Sequence, residues 1–273
     1  NQGEGGEGHA AFPLVYATMF SSLYTALMLI LFALILRGVA FEFRHQVESD
    51  AWRKVWDACI FIGSFAPALL FGVAFGNIFQ GIPFDAEGIY HGNLLTLLNP
   101  YGILGGLLFL SLFLVHGSLW LAIKTEGDLH ARAVGMANKL WPVLVGVAVL
   151  FLVATAFFTS LYSNYLAKPA LLLVLVGDVA ALLGIKYFLR QAAYFKAWFS
   201  SAATIVLCTF FGVIGLFPNL YPSSIKAEYS LSAFNASSSP LTLKIMLIVV
   251  IIFVPIVLVY QIWAYNLFNV KLK

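Results

Sequence analysis

The chain has 273 residues, of which 62% are hydrophobic and only 10% are charged, and its formal net charge at pH 7 is +3. Soluble domains carry about 25% charged residues, so this composition excludes a soluble globular protein. Several stretches reach the roughly 20 apolar residues that a helix needs to cross a bilayer. The composition predicts an all-α, polytopic transmembrane protein, and its small positive charge, spread over short loops, does not indicate nucleic-acid binding.

Hydropathy predicts seven full spans in a single membrane domain, residues 21–273. The predicted spans, in chain order, are Ser21–Phe43, Trp56–Gln80, Asn99–Ile123, Leu140–Leu161, Pro169–Leu189, Trp198–Phe217 and Leu241–Phe268. We interpret residues 1–20 as the N-terminal remnant of a preceding helix and its outer turn. They include "GEGGEGH", which is too polar and glycine-rich for a lipid-facing helix and has no "GK[ST]" after it to indicate a phosphate loop.

Lysine and arginine residues lie unequally on the two sides of these spans. Of the 15 in the chain, only Lys168, Lys226 and Lys244 fall on one side. Because loops rich in Lys and Arg stay in the cytoplasm, the other side is predicted to be cytoplasmic, together with the C-terminus.

The end of the first span carries charges within its apolar pattern. In "ALILRGVAFEFR", Arg37 and Glu42 are five residues apart, about 140° around a helix, so they do not form an i,i+4 ion pair. Arg44 comes seven residues after Arg37 and therefore lies on the same face of the helix. Asp57 lies near the start of the second span. One interpretation is interfacial: the arginines snorkel, Glu42 is solvated and Asp57 favours a helix N-terminus. The other is a functional charge cluster on an ion pathway.

Further polar residues lie within the spans. His116 and Asp178 each precede a lysine by eight residues in spans of the same direction, which predicts a similar depth. They are expected either to hydrogen-bond each other, directly or through a water, or to find separate local partners. Asn77 and Gln80 in "FGNIFQG" are expected to cap helix ends and fix the next loop, with a quinone headgroup or a subunit interface as the alternative.

The other histidines are not placed where they could form a haem site together with His116. His9, His45, His91 and His130 fall in predicted loops or terminal segments. Because a bis-histidine haem site needs two well-placed histidines on transmembrane helices, we expect this chain alone to bind no haem and no metal.

Several longer stretches carry a family resemblance. They are "ALILRGVAFEFR", "WRKVWDACIFIGSFAPALLFGVAFGNIFQGIPF", "LLTLLNPYGILGGL", "TEGDLHARA", "FPNLYPSS" and "SSSPLTLKIMLIVVIIFVPIVLVYQIW". Together they cover nearly the whole chain, and it resembles subunit II of the cytochrome bd family of quinol oxidases.

The resemblance implies a subunit of a prokaryotic inner-membrane complex that oxidises quinol and reduces O2 to water. Subunit I of such a complex carries two haems b and one haem d, and subunit II has a similar helical architecture without haem. An acidic residue at the position of Glu42 is implicated in proton uptake, and Asp57 is assigned to the same route. Arg37 would then be structural. The resemblance leaves open whether a small single-helix subunit joins, and whether a quinone or a lipid fills the space that corresponds to haem.

The sequence departs from the family in three places. The family's first helix and the start of its second, with an acidic residue ahead of "GNQ", have no counterpart here; "GEGGEGH" replaces an apolar segment; and Gly38 stands where proline is common. The rival prediction is a secondary transporter, since Pro67 and Pro255 fall in mid-span and such transporters have broken helices.

Overall fold

The computed structural model describes residues 11–267. Within this part of the chain the helices are α1 (Pro13–Ser22), α2 (Tyr24–Phe43), α3 (Asp50–Gln80), α4 (Leu94–Leu97), α5 (Pro100–Lys124), α6 (Gly127–Phe158), α7 (Tyr162–Ala167), α8 (Leu172–Arg190), α9 (Tyr194–Leu216) and α10 (Pro240–Leu267). Short 3₁₀ helices cover Pro169–Leu171 and Ala227–Tyr229, and two short antiparallel strands, β1 (Asn219–Tyr221) and β2 (Leu231–Ser232), pair between α9 and α10.

Seven of these helical segments are long and apolar enough to cross a membrane, which confirms the predicted number of spans and the all-α class. The segment "GEGGEGH" lies outside the described residues, and the boundary between residues 1–20 and the membrane domain stays a prediction.

Two helices begin more than four residues earlier than hydropathy predicts. The predicted start at Trp56 is wrong, because α3 begins at Asp50, where the Ser49 side chain caps the helix by accepting a hydrogen bond from the Trp52 N–H. The predicted start at Leu140 is also wrong, because α6 begins at Gly127. Both helices therefore extend by polar turns beyond their apolar windows, and Asp57 lies two turns inside α3.

Helix α5 is the centre of the fold. It packs most extensively against α3 and α6 and also against α9, while α2 packs on α3 and α8 packs on α9. Accordingly, 44% of the apolar window of α5 is buried, against none of that of α10. Helix α10 contacts the rest near its end, where the Tyr265 ring lies 5.9 Å from that of Trp120.

Glycines set the distance between α3 and α5. Each helix carries two glycines four residues apart, Gly72 and Gly76 on α3 and Gly102 and Gly106 on α5. A Cβ added to Gly72 would meet the backbone oxygen of Gly105 and lie 2.7 Å from the Gly106 Cα. The backbones are therefore in direct contact, the arrangement that small residues at four-residue spacing permit in membrane helices.

One end of the molecule is closed by loops that hydrogen-bond to one another. The Ile82 N–H donates to the Pro222 carbonyl, the Ser224 N–H donates to the Ile82 carbonyl, and the Ser223 hydroxyl donates to the Phe84 carbonyl. The loop after α3 thereby joins the segment that carries β1 and β2. We refer to this as the outer cap (residues 81–93 and 218–239), after the side of the membrane on which the distribution of lysine and arginine predicts it to lie.

The glycine contact yields a prediction. Gly72→Ala should lower the thermal unfolding midpoint of the detergent-solubilised protein, by the equivalent of about 1–3 kcal/mol, because the added Cβ meets backbone that cannot rotate away. The measurement is loss of helical circular dichroism on heating. Gly117→Ala in α5, where an added Cβ has nothing within 4 Å, is the matched control and should not lower the midpoint. Equal midpoints for the two variants would contradict the interpretation.

Candidate functional site

Charged side chains meet at the end of the molecule where α2 turns into α3. Arg44 follows the last residue of α2, and its guanidinium donates from Nε to Asp57 Oδ1 at 2.6 Å and from Nη2 to Asp57 Oδ2 at 3.2 Å. The Arg44 side chain is 31% exposed and that of Asp57 is 51% exposed. This bidentate pair joins the two helices at their connection, where solvent screens it.

Aromatic side chains also join the end of α2 to the start of α3. The Trp52 indole N–H donates to the Phe43 carbonyl at 2.7 Å, which ties the first turn of α3 to the last residue of α2. The Trp56 ring lies 5.5 Å from the ring of Phe43 and 5.6 Å from that of Trp52. These three side chains therefore pack the last residue of α2 against the first turns of α3.

Glu42 and Arg37 are placed differently from the Arg44–Asp57 pair. Glu42 is exposed, and its side chain forms no hydrogen bond or ion pair within residues 11–267. Arg37 is half-buried, and its Cβ would lie 2.7 Å from a Cβ added to Gly63. Arg37 therefore lies where α2 and α3 approach closely, and the carboxylate of Glu42 faces outward from this part of the chain.

The position of Asp57 changes one interpretation. Favourable interaction with a helix dipole falls off within the first turn, and Asp57 is the eighth residue of α3. Its observed partner is Arg44, so the helix-dipole role that the predicted start at Trp56 allowed is wrong.

Asn77 is the centre of an amide network at the opposite end of α3. Its Nδ2 donates to the carbonyls of Val73 (2.8 Å) and Leu97 (2.7 Å), and its Oδ1 accepts from Asn99 Nδ2 at 2.7 Å. Asn99 in turn caps α5 by accepting from the Gly102 N–H. Asn77 thus fixes the connection between α3 and α5, the expected local role. Gln80, the last residue of α3, is half-buried and lines a polar cavity beside the outer cap.

The predicted pair of His116 and Asp178 does not form a direct hydrogen bond. His116 Nδ1 lies 2.7 Å from Ser201 Oγ on α9, and its ring lies 5.2 Å from that of Trp198. Asp178 Oδ1 is buried and has no hydrogen-bond partner among the described residues. The physical reason is that Ser201 of α9 lies next to His116. The partner of His116 therefore comes from α9 and not from α8, which carries Asp178.

The histidines of the described chain do not fit a bis-histidine haem. His116 alone lies deep in a span, whereas His45 and His91 lie in loops, and His130 lies in the first turn of α6 rather than in a loop. Residues 11–267 also contain no group of three or more His, Cys, Asp or Glu side chains that could hold a metal ion.

The sequence contains signals for some of the contacts that sequence reasoning missed. Asn99 precedes Pro100, and an N-cap residue followed by proline at the first helical position is a helix-start signal. The Arg44–Asp57 and His116–Ser201 contacts have no such signal, because each depends on how two helices are rotated about their axes.

Comparison with known proteins identifies the family. Residues 5–268 match the family described as cytochrome bd terminal oxidase subunit II. The chain is 36% identical to the probable cytochrome oxidase subunit 2 of Haemophilus influenzae, with 96% of this chain and 77% of the relative aligned. It is 34% identical to the cytochrome bd-I ubiquinol oxidase subunit 2 of Escherichia coli K12, over the same shares. It is 35% identical to the cytochrome bd ubiquinol oxidase subunit 2 of Bacillus subtilis, over 97% of this chain and 78% of the relative.

The chain belongs to the cytochrome bd terminal oxidase subunit II family. It is a multi-pass membrane subunit of an oxidoreductase, and the secondary-transporter alternative is wrong. The helices that suggested that alternative are also unbroken, since Pro67 lies inside α3 and Pro255 inside α10.

The outer cap of this subunit holds a compact charged turn. Asp85 Oδ1 accepts the N–H groups of Glu87 (3.1 Å) and Ile89 (2.9 Å), and Asp85 Oδ2 lies 2.6 Å from His91 Nε2. The hydrogen bond with His91, followed by that from the Ile89 N–H, holds the pKa of Asp85 below its ordinary value. The carboxylate is therefore the form that the folded turn favours.

This pKa shift predicts how the turn responds to pH. Because the folded pKa is lower than the unfolded value of about 3.9, Asp85 stabilises the turn above that value and the stabilisation is lost as pH falls through the folded pKa. Hydrogen exchange at the Ile89 amide, corrected for its intrinsic rate, should stay protected at neutral pH and lose protection below about pH 4. Asp85→Ala should remove the protection at neutral pH, and unchanged protection in that variant would contradict the assignment.

Proposed function

We propose that this chain is the haem-free partner of a haem-bearing subunit I in a quinol oxidase that reduces O2 to water. The observation that supports this most is membership of the subunit II family over nearly the whole chain. Quinol and O2 are then substrates of the complex, and the two haems b and one haem d reside on subunit I. Those haems supply electron transfer and O2 reduction, whereas this chain scaffolds the partner and shields its flank from lipid.

The histidine placement supports this division of roles. The described residues present a single histidine deep in a span, His116. A bis-histidine site would need a second such residue facing it. The chemistry that this chain contributes is therefore that of its carboxylates and amides.

We assign Glu42 as the proton-exchanging carboxylate of this chain. It is exposed at the end of α2 and has no counter-ion within residues 11–267, so protonation and deprotonation break no ion pair of the described chain. A carboxylate close to the membrane interior marks an ion pathway more often than a structural site. Glu42 would take protons from the cytoplasmic side and pass them toward the partner subunit.

The other predicted site residues have separate roles. Asp57 is the second carboxylate that we assign to the proton route, and Arg44 holds it in a bidentate pair at the charged end of α2 and α3. Arg37, half-buried against α3, would hold an anionic group of subunit I or a lipid phosphate. Asn77 is occupied in its amide network, so a quinone or lipid would meet Gln80 rather than Asn77 at the opposite end.

The proposed orientation follows from the positive charges. Arg44, Arg53 and Lys54 lie at the same end of α2 and α3 as Glu42. The positive-inside rule puts this end in the cytoplasm of a prokaryotic cell. With seven spans, the C-terminus is on the same side, and protons for water formation come from the cytoplasm.

The first test is purification followed by visible spectroscopy. The tagged chain should co-purify with a second, haem-containing membrane subunit and show b-type and d-type bands that disappear when that subunit is removed. A colourless chain that purifies alone would contradict the proposed partnership.

The second test concerns Glu42. Glu42→Gln should reduce quinol-driven O2 consumption by about tenfold or more, which corresponds to about 1.4 kcal/mol of activation free energy, because the amide cannot exchange a proton. Glu42→Asp should restore much of the rate. Glu48→Gln, an exposed acid in the same connection, is the matched control and should leave the rate unchanged. Unchanged turnover of Glu42→Gln over a broad pH range, in a complex with normal haem bands, would contradict the assignment.

A further inference from the structure

A small, partly open cavity lies between α5, α6, α8 and α9. Its volume is about 50 Å³, and most of its lining is apolar, from residues such as Leu108, Leu144 and Phe151. Three lining side chains carry polar atoms: Asp178 from α8, and Thr204 and Cys208 from α9. The cavity therefore brings three polar side chains together within an otherwise apolar helix bundle.

Asp178 faces this cavity because of its position on α8. The cavity-lining residues of α8 are Leu175, Asp178, Val179 and Leu182, which are spaced by three and four residues and so share one face of the helix. An aspartate thus lies among the apolar residues of the α8 face that lines the cavity. Its Oδ1 is buried and accepts no hydrogen bond from any described residue.

The α9 side of the cavity offers complementary groups. Thr204 and Cys208 are four residues apart and lie on the same face of α9. The Thr204 hydroxyl donates to the Ser200 carbonyl at 3.0 Å, which leaves its oxygen lone pairs able to accept. The Cys208 thiol is a further weak donor and acceptor.

We propose that this cavity is a built water site in which one ordered water bridges Asp178 to Thr204 and Cys208. A buried water needs about 10–15 Å³ of such space and two to four polar partners, and the cavity provides both. The water would donate to Asp178 Oδ1, which is otherwise left without a partner at a cost of roughly 1–3 kcal/mol.

Other ligands fit the cavity less well. No basic side chain lines it, so it does not suit an anion. The described residues contain no cluster of ligands for a metal ion, and about 50 Å³ is too small for a quinone ring or a lipid chain. The bridge would also fix the rotation of α8 on α9, which matters because few residues of α8 are buried, Ile185 and Leu189.

The test is a pair of double-substitution cycles on thermal unfolding of the protein, in the complex in which it purifies. Asp178→Leu fills the cavity and removes the water, and Thr204→Val removes one of its acceptors. Thr204→Val should lower the unfolding midpoint more in the natural background than in the Asp178→Leu background, because in the latter no bridge remains to be lost.

Thr209→Val is the matched control. Thr209 lies on the same helix and also donates to the carbonyl four residues earlier, Ile205, at 2.9 Å, but it is exposed and does not line the cavity. Its effect should be the same in both backgrounds. Additive effects for Thr204 as well as Thr209 would overturn the proposal.

A second measurement does not depend on any variant being stable. A cryo-EM map of the unsubstituted complex, at a resolution that shows ordered waters elsewhere, should contain density between Asp178 and Thr204. An empty cavity, or an Asp178 side chain turned away from it, would overturn the water site.

Discussion

The backbone contact between α3 and α5 is the constraint on which the rest of the fold depends. Lipid tails are as apolar as leucine side chains, so helices in a bilayer gain little from hiding apolar surface and associate through close packing and hydrogen bonds instead. The glycines at 72, 76, 102, 105 and 106 let these two backbones touch. The other faces of α5 then pack against α6 and α9, and α2 packs against α3.

The amide network of Asn77 acts at one end of the same contact. Two of its three hydrogen bonds, with Leu97 and Asn99, join α3 to the residues that lead into α5, in a region where an unpaired polar group is costly. The glycines set how closely the helices approach, and the amides fix how they are aligned along their axes. At the other end of α3, Arg44 and Asp57 join α2 to α3 with a charged pair that tolerates solvent. The two ends of one helix thus use different chemistry, because one lies among buried groups and the other at an exposed surface.

Hydropathy and length were enough to predict the seven spans, because the requirement for about 20 apolar residues is imposed by the bilayer and not by neighbouring helices. The starts of α3 and α6 were missed for a related reason. Their first turns carry polar residues, and that of α3 is also capped by the Ser49 side chain. A hydropathy window does not register such turns.

The family was recognisable from the sequence, and the comparisons confirm it. The partners of individual polar residues were not, as His116 shows: the depth of a residue follows from its position along a span, but its partner depends on helix rotation, and α9 brings Ser201 to it.

Helix α10 packs only weakly against the other helices of the described chain. All of its large apolar side chains except Leu243 and Met246 are exposed, from Leu241 to Leu267, in a helix that is apolar on every face. In water such a surface would be covered by the rest of the protein, but in a bilayer lipid serves equally well as a neighbour. The free energy that holds α10 against the other helices is therefore small within residues 11–267, and Trp120 with Tyr265 is one of the few ring contacts that contribute to it. A helix of this kind is free to take its final neighbours from another subunit, so the boundary between scaffold and partner need not coincide with the edge of the packed core around α5.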